Sequence, residues 1–383
     1  MRDEWQEKRL GDICELVNGR GFKPHEWKKE GLPIIRIQNL NGSDEFNYYL
    51  GKFNPKILVE PGQLLFAWSG SRGASFGPHI WEGPTGVLNY HTWKVHPADE
   101  MDRDFLFQLL QFETEKIEAS SHGASALVHV QKGEMEQRKF DVPPLPEQRR
   151  IAEILRTWDE ALEKLAALRA AKARRFEGLR DKLIAAASRT GHPALFGDFL
   201  TESREPGTDG ATARKISVRL YGKGAVEKVD VRGGSANTRY YRRSAGQLIW
   251  SKLDFLNGAF ALLGPELDGC ESTLDLPAFD CSDAVNPIWL IEYLTRPAYY
   301  TRQIHLARGQ RKARRVSPED WLASPVRRPD RTTQDKIAGA LSTGRTELAL
   351  LDAEIEALTR QKRGLMQKLL TGAWRVTPDE VPA

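Results

Sequence analysis

The sequence predicts an α+β protein in which two mixed α/β domains are separated by two long antiparallel helices that form a coiled-coil-like spacer. Apolar residues spaced three and four apart over residues 146–188 indicate the first helix. The same pattern returns 186 positions later, from Ile151 to Ile337, and indicates an internal duplication. The segments beside the helices hold about 140 residues each, a normal size for one hydrophobic core. We therefore expect the order domain, helix, domain, helix.

The helix boundaries follow from local signals. Pro146 suits a first helical position because its missing N–H would be unpaired there anyway. Gly191 followed by Pro193 is a stop signal. The predicted organisation is domain 1 over residues 1–145, a central helix over 146–190, domain 2 over 191–331, a distal helix over 332–374 and a tail over 375–383. Each helix would be roughly 60 Å long, too long to bury its apolar seam on itself, so the second helix must cover the first.

The seam residues and the repeat define the helix pair. Residues 148–183 and 334–369 share 14 identities in 36 positions at the fixed offset. The predicted packing residues are Ile151, Leu155, Trp158, Leu162, Leu165, Phe176, Leu179, Leu183, Ile337, Leu341, Leu348, Leu351, Ile355, Leu358, Leu365 and Leu369. Gly178 and Gly364 are matched in both copies although each costs roughly 1 kcal/mol against alanine in a helix. A close helix–helix crossing would explain them, and simple tolerance of a glycine within each helix is the alternative.

Composition limits the class of protein. The chain of 383 residues is 40% hydrophobic and 28% charged, with no basic start before an apolar run and no stretch of 18 apolar residues. We therefore expect a cytoplasmic protein rather than a secreted or membrane-spanning one. Cys14, Cys270 and Cys281 predict three reduced thiols and no zinc or disulfide framework. The net charge of +4 is only mildly basic, but arginine is concentrated in residues 302–328.

Inside the domains the sequence predicts matched elements. Apolar runs flanked by glycine and proline indicate strands over residues 32–37, 63–68 and 247–251. Helices are expected to begin near Phe105 and Ile288. Glycine and serine over residues 69–77 indicate a flexible loop directly after a strand.

Sequence signatures of catalysis are missing. There is no phosphate-binding Gly-x-x-x-x-Gly-Lys-Ser/Thr loop and no Asn-Pro-Pro-Tyr methyltransferase signature. Glu26-Trp27-Lys28 has the acid-x-Lys form of a nuclease site but lacks the preceding Pro-Asp. The eight histidines have no metal-ligand spacing. We expect a non-catalytic chain without a metal site.

Two motifs carry a family resemblance. The run from Val142 to Ala152, Val-Pro-Pro-Leu-Pro-Glu-Gln-Arg-Arg-Ile-Ala, resembles the start of the first spacer helix in the specificity subunits of type I restriction–modification systems. Residues 364–372 resemble the end of their second spacer helix, and the duplicated architecture extends the resemblance to the whole chain. The second copy departs from the pattern, because residues 327–334 keep only one proline and the glutamine.

This resemblance implies a subunit that reads a bipartite target in double-stranded DNA through two target-recognition domains. It also implies two methyltransferase subunits docked on the spacer helices, with endonuclease–translocase subunits joining for cleavage. S-adenosylmethionine, ATP and Mg are then expected in the partner subunits and no cofactor in this chain. Arg174 and Arg360, which are matched in both copies, are the candidates for partner contacts.

DNA recognition needs polar and cationic side chains on loops that reach base edges and phosphates. The candidates in domain 1 are Arg20, Lys23, Arg36, Gln38, Asn39, Asn41, Ser69, Ser71, Arg72, Tyr90, His91, His122 and Ser125. The candidates in domain 2 are Lys223, Arg239, Tyr240, Arg242, Lys252, Asp254, Arg308, Gln310, Arg311, Lys312 and Arg314. The alternative for each is a solvated polar residue. The alternative for the whole chain is an interaction scaffold with two protein-binding domains and no DNA affinity.

Overall fold

The computed structural model of the protein describes residues 5–120, 127–228, 234–309 and 314–377. The chain divides into two compact units, unit 1 with residues 1–166 and 354–383, and unit 2 with residues 167–353. Each of the two long helices contributes one part to each unit. Within the described ranges no helix is long and apolar enough to cross a membrane.

Unit 1 is a mixed α/β globule. Its elements in chain order are β1 (Gln6–Arg9), α1 (Leu10–Ile13), β2 (Cys14–Asn18), β3 (Leu32–Ile35), α2 (Ile37–Leu40), β4 (Asn47–Tyr49), β5 (Leu58–Val59), β6 (Leu64–Ala67), β7 (Ser69–Ser71), β8 (Gly77–Ile80), β9 (Gly86–Leu88), β10 (Thr92–Pro97), α3 (Arg103–Ser120), β11 (Leu127–His129), α4 (Lys132–Glu136), β12 (Lys139–Val142) and the first part of α5 (Leu145–Thr190). Residues 69–71, predicted as flexible loop, form strand β7 because they pair with β11.

Two four-stranded sheets organise unit 1. One is antiparallel in the order β2-β10-β6-β8, and the other has the order β4-β3-β9-β5 with β3 and β9 parallel. The main core packs α3 and the start of α5 on the first sheet, with Phe66 stacked on Trp93 at 5.6 Å between ring centroids. A smaller core lies on the second sheet around Ile34, Ile35 and Val87.

Unit 2 repeats this plan with different additions. Its elements are β13 (His192–Leu195), β14 (Leu200–Ser203), β15 (Pro206–Asp209), β16 (Ile216–Val218), β17 (Ala225–Glu227), β18 (Arg239–Arg242), β19 (Leu248–Trp250), β20 (Phe260–Leu262), β21 (Glu271–Ser272), β22 (Ala278–Cys281), α6 (Pro287–Leu294), α7 (Pro297–Tyr300), β23 (Ala307–Arg308), β24 (Arg315–Val316), α8 (Pro318–Leu322), β25 (Pro325–Arg328) and the first part of α9 (Arg331–Leu370). The antiparallel sheet β14-β22-β19-β20 matches β2-β10-β6-β8 strand for strand, while β15-β18-β21 has no counterpart order in unit 1. Trp250, Trp289 and Trp321 fill its core.

A buried glutamine shows the duplication in atomic detail. In unit 1 the Gln148 side chain accepts a hydrogen bond from Asp102 N–H at 2.8 Å and donates to the carbonyl oxygens of Pro143 and Glu100 at 2.8 and 3.0 Å. The Asp102 carboxylate in turn caps the start of α3 by accepting from the backbone N–H groups of Asp104 and Phe105. The glutamine thus ties the beginning of the long helix to the beginning of α3.

Unit 2 contains the same network at the repeat position. The Gln334 side chain accepts from Asn286 N–H at 2.8 Å and donates to the carbonyl oxygens of Pro329 and Ala284 at 2.8 and 3.3 Å. Asn286 caps α6 through its side-chain oxygen. Because four positions match in role between the two networks, the duplication predicted from the helices extends into the globules. The α+β class with two long helices and an internal repeat is confirmed.

The long helices run antiparallel within each unit. In unit 1 Glu147 pairs with Arg375, and Asp159 pairs with Lys362. In unit 2 the guanidinium of Arg169 binds Asp352 through two hydrogen bonds of 2.8 and 2.9 Å, and Lys172 pairs with Glu347. In both units the partner number falls as the α5 number rises, so the chains run in opposite directions.

The predicted seam is only partly the packed one. The structure buries Ile151, Leu155, Phe176, Ile337, Leu341 and Leu369, and half-buries Trp158, Leu162, Leu165, Leu183, Leu348, Leu351, Ile355, Leu358 and Leu365. The prediction is wrong for Leu179, which is 45% exposed, because the packed face continues from Phe176 through Arg180 and Ile184. A straight helix has 3.6 residues per turn, so a seam spaced at 3.5 drifts off its face.

The matched glycines do not mark a close crossing. A Cβ atom added to Gly178 or Gly364 would meet no atom within 4 Å. The close approach occurs instead at Gly344, where a Cβ would lie 2.7 Å from the ring of Phe176. The explanation proposed from the sequence for Gly178 and Gly364 is therefore wrong.

Candidate nucleic-acid interface

Strand ends in unit 1 meet around Asn89. Because β3 and β9 are parallel, both reach the same edge of the sheet, and Asn89 N–H donates to the carbonyl oxygen of Ile35 at 3.0 Å. Arg20 N–H donates to the carbonyl oxygen of Leu88 at 2.9 Å. The chain segments that follow strands β2, β3 and β9 therefore lie side by side here.

An aromatic corner, defined as Trp68, Tyr90 and His91, lies next to this edge. The Trp68 indole N–H donates to the carbonyl oxygen of Tyr90 at 2.9 Å. The backbone N–H of Trp68 donates to the carbonyl oxygen of His91 at 3.2 Å. The ring centroids of Tyr90 and His91 lie 3.8 Å apart, and the Tyr90 residue is 46% exposed. Burial lowers the pKa of His91, so its imidazole is neutral at neutral pH and can both donate and accept. Ser69 follows on β7, opposite His129 of β11, and Ser71 and Arg72 are exposed beyond it.

Arg20 and Arg36 are held by their own unit. The Arg20 guanidinium donates to the Tyr49 hydroxyl at 2.6 Å and pairs with Glu26, and the hydrogen bond to Tyr49, followed by the Glu26 charge, raises its pKa. Arg36 donates to the Asn47 side chain at 2.6 Å and lies 5.0 Å from the ring centre of Trp27. Both therefore supply a fixed positive charge rather than a mobile side chain.

The structure corrects the prediction for Asn39. Its side chain is buried, accepts from Arg36 N–H at 3.0 Å and donates to the carbonyl oxygens of Ser43 and Glu45 at 2.9 Å each. With both amide hydrogens used to close its own loop, Asn39 cannot read a base. Lys23, Gln38 and Asn41 are exposed, and the Gln38 amide donates to the carbonyl oxygen of Glu45 at 3.2 Å.

A charged corner, defined as Lys252, Asp275 and Arg315, occupies the corresponding place in unit 2. Lys252 N–H donates to the carbonyl oxygen of Asp275 at 2.9 Å, and Val316 N–H donates to that of Lys252 at 3.0 Å. The aromatic corner has the equivalent bonds. Trp68 N–H donates to the carbonyl oxygen of His91, and Val130 N–H donates to the carbonyl oxygen of Trp68 at 3.0 Å. The Arg315 and Asp275 side chains form an ion pair of 3.5 Å. The same backbone framework thus presents aromatic rings in unit 1 and charges in unit 2.

The turn between β16 and β17 extends this region. Tyr221 and Gly222 donate their N–H groups to the carbonyl oxygens of Asn257 and Gly258 at 2.8 Å each. The Asn257 amide in turn donates to the Asp254 carboxylate at 3.2 Å. These contacts place the turn that carries the predicted residue Lys223, which is exposed, beside the loop that carries Asp254.

The remaining candidates are distributed differently. Arg239, Tyr240 and Arg242 lie on β18, in the separate three-stranded sheet. Arg314 is exposed, and Arg308 lies opposite Arg315 on the β23–β24 pair but forms an ion pair of 3.0 Å with Asp320. The predicted residues His122, Ser125, Gln310, Arg311 and Lys312 lie outside the described residues.

Sequence reasoning missed Trp68, Tyr221 and Arg315. Trp68 ends an apolar run and reads as one more core residue, and Arg315 was passed over within a cluster of arginines. The signal for Tyr221 was available in Tyr221-Gly222-Lys223-Gly224, a turn composition that carries an aromatic residue.

Metal and thiol chemistry have no structural support in the parts of the chain that the structure describes. No group of three or more His, Cys, Asp or Glu side chains there could hold a metal ion. Cys14, Cys270 and Cys281 are free, and burial raises the pKa of each thiol. The three thiols are therefore protonated at neutral pH.

Known protein families and relatives resemble this chain over less than half of its length. Residues 2–171 match the family model of the type I restriction modification DNA specificity domain. The chain is 26% identical over 160 residues to the type I restriction enzyme EcoBI specificity subunit of Escherichia coli, and 27% identical over 165 residues to the MjaVIII specificity subunit of Methanocaldococcus jannaschii. These stretches cover 41% and 42% of this chain, and 33% and 37% of the relatives, so the chain spans about a third of their length.

Two solved structures share the fold over nearly the whole chain. The S subunit of a type I restriction–modification system from M. genitalium has a TM-score of 0.57 at 16% identity and covers 96% of both chains. A chain from a structure describing complex assembly and conformational transition of the type I R-M system also has a TM-score of 0.57, at 14% identity, and covers 97% of this chain and 98% of that one. Residues 2–171 are therefore similar to the type I restriction modification DNA specificity domain, and the resemblance of this chain to type I specificity subunits is confirmed.

Proposed function

We propose that this chain is the DNA-reading specificity subunit of a type I restriction–modification complex, and that its two units read the two halves of a bipartite double-stranded target. The observation that carries the proposal is the pair of corners. The aromatic corner and the charged corner are held by equivalent backbone hydrogen bonds but present unlike side chains. A duplicated scaffold with unlike readers is what a target with two different half-sites requires.

The two corners suit different base edges. In unit 1 the Tyr90 ring and the neutral imidazole of His91 offer apolar contact for a thymine methyl group together with one donor and one acceptor. In unit 2 Lys252 and Arg315 offer donors for guanine O6 and N7, and Asp275 offers an acceptor for the amino group of cytosine. Exposed cations nearby, such as Lys23 and Lys223, fit phosphate contacts.

The proposal assigns the chemistry to partner subunits. Methyltransferase subunits would dock on the long helices, where Arg174 and Arg360 are exposed, and endonuclease–translocase subunits would complete the complex. S-adenosylmethionine, ATP and Mg would be bound by those partners. The missing catalytic signatures in this chain support a non-catalytic role.

The test is to express the chain with its methyltransferase subunits in cells lacking other adenine methylation and to map the methylated adenines. We expect one bipartite sequence with a fixed gap. Trp68→Ala should relax the consensus in one half only, and Lys252→Ala in the other half only, because the corners belong to different units. No methylation above that of the methyltransferase alone, together with no DNA binding by the assembled complex, would refute the proposal in favour of a scaffold that binds only proteins.

A further inference from the structure

The turn that joins β16 to β17 presents an aromatic ring on an unfavourable backbone. Tyr221 has a φ of +59°, and in the described part of the chain it is the only residue other than glycine with a positive φ. Side chains with a Cβ atom are disfavoured in this left-handed region. The ring gains no compensating burial, because Tyr221 is 61% exposed. The fold therefore does not explain why a tyrosine occupies this position.

The ring is presented on a rigid support. The hydrogen bonds from Tyr221 and Gly222 to residues 257 and 258 clamp the turn onto the globule, and Arg219 N–H closes it by donating to the carbonyl oxygen of Gly224 at 2.8 Å. Gly222 allows this seating, since a Cβ there would lie 2.8 Å from the side chain of Thr295. A strained residue that persists in an over-determined setting is a frequent feature of ligand-binding sites.

Positively charged residues flank Tyr221 in the sequence. Arg219 and Lys223 lie two positions before and after Tyr221, and both are exposed. Among the described residues neither side chain has a hydrogen-bond or ion-pair partner, whereas the nearby Arg214 is paired with Glu227 at 2.7 Å. Two free cations around an exposed ring match a nucleic-acid backbone that passes on both sides of a stacked base.

We propose that Tyr221 is a wedge that stacks against bases of the half-site read by unit 2, while Arg219 and Lys223 bind the adjacent phosphates. This inference rests on the proposed function and adds to it a second kind of contact, beside the hydrogen-bonding charged corner. Aromatic or apolar side chains that insert at a base step must be held rigidly, because the cost of unstacking is repaid only by contacts formed at the same time. At the repeat offset of 186 the position in unit 1 is Ile35, which is buried in β3.

The experiment uses the full chain assembled with its methyltransferase partner and a duplex that carries the mapped target. The fluorescent base 2-aminopurine is placed at each position of the second half-site in turn. For the unmodified chain we expect a change of fluorescence on binding at one or two adjacent steps. In Tyr221→Gly that change should be lost and the Kd should rise about tenfold or more, as expected for removal of one base–aromatic stack. Tyr221→Phe should behave like the unmodified chain.

The glycine variant separates function from folding. Glycine adopts a positive φ without strain, so the melting temperature of Tyr221→Gly should equal or exceed that of the unmodified chain. Tyr221→Asn repeats the test, because asparagine also tolerates this conformation.

Trp374→Gly is the control for loss of an exposed ring. It removes a similarly exposed ring (56%) from unit 1 and should leave the fluorescence and the Kd unchanged. Arg219→Gln combined with Lys223→Gln should lower the slope of log K against log salt by about two while the fluorescence change persists at saturation.

The outcomes distinguish the two proposals. If the assembled complex binds no DNA, the proposed function fails and the wedge with it. If it binds its target and Tyr221→Gly binds equally well with the same fluorescence pattern, the wedge alone is refuted.

Discussion

Replacement of the buried glutamine of the repeat should cost each unit a similar and large amount of stability. In Gln148→Leu the side chain keeps its approximate size, so the effect comes from three lost hydrogen bonds of 2.8 to 3.0 Å. At about 1 kcal/mol net for each bond, and more where a buried partner stays unpaired, we expect about 3–5 kcal/mol. Gln334→Leu should cost slightly less, because one of its bonds is 3.3 Å long.

Local exchange measurements identify where the stability is lost. In hydrogen–deuterium exchange Gln148→Leu should speed exchange at the start of α3 and α5, and Gln334→Leu at the start of α6 and α9. Guanidinium unfolding supplies the magnitude. Gln361→Leu, on the exposed face of α9, is the control and should change stability by less than about 0.5 kcal/mol. If Gln148→Leu costs under about 1 kcal/mol, or exchange rises in the wrong unit, the network does not hold these helix starts.

Three further predictions concern the helices and their ends. Gly178→Ala and Gly364→Ala, each with open space around the new methyl group, should each raise the unfolding free energy by up to about 1 kcal/mol in guanidinium titrations. Gly344→Ala should lower it in the same assay, because its Cβ meets an aromatic ring at 2.7 Å; a gain equal to that of the other two would contradict the packing. Burial opposes ionisation of Glu147, but the hydrogen bonds from Arg375 and its other donors outweigh burial and leave its pKa lowered. This carboxylate therefore stabilises the fold above its unfolded pKa and loses that effect as the pH falls through its lowered folded pKa. Thermal melts of Glu147→Gln should show a deficit at pH 7 that shrinks as the pH is lowered through the acid range.

The sequence predicted the helices because a 3.6-residue period over more than ten turns has no competing explanation. It also predicted the repeat, since glycine and glutamine recur at one offset. The seam was less certain in its details. Leu179 looked like a seam residue because it fits a strict three–four spacing, yet Arg180 is buried on the packed face instead. A hydrophobic pattern does not record the gradual rotation of that face along a straight helix.

The candidate site was harder to predict because polarity alone does not indicate what an amide binds. Gln38 and Asn39 both follow a buried strand. The Asn39 side-chain amide donates to the carbonyl oxygens of Ser43 and Glu45 and is buried, so only Gln38 stays exposed. Those oxygens are backbone atoms, so no residue type in the sequence marks them. Trp68 was missed for the opposite reason, since an aromatic residue at the end of an apolar strand is usually core.

The two corners explain why such residues escape sequence reasoning and why they suit recognition. The framework of each corner consists of backbone hydrogen bonds. Val316 N–H donates to the carbonyl oxygen of Lys252 in unit 2, and Val130 N–H donates to that of Trp68 in unit 1. Backbone bonds of this kind form with almost any side chain, so the framework places few demands on the residues it presents. Side chains at these positions can therefore change without loss of the fold, and their identity can follow the DNA sequence to be read. A swap of Tyr90→Lys, at a ring that is 46% exposed, should accordingly leave the melting temperature of unit 1 nearly unchanged while altering its proposed half-site. A large loss of stability would show that the ring is needed for packing instead.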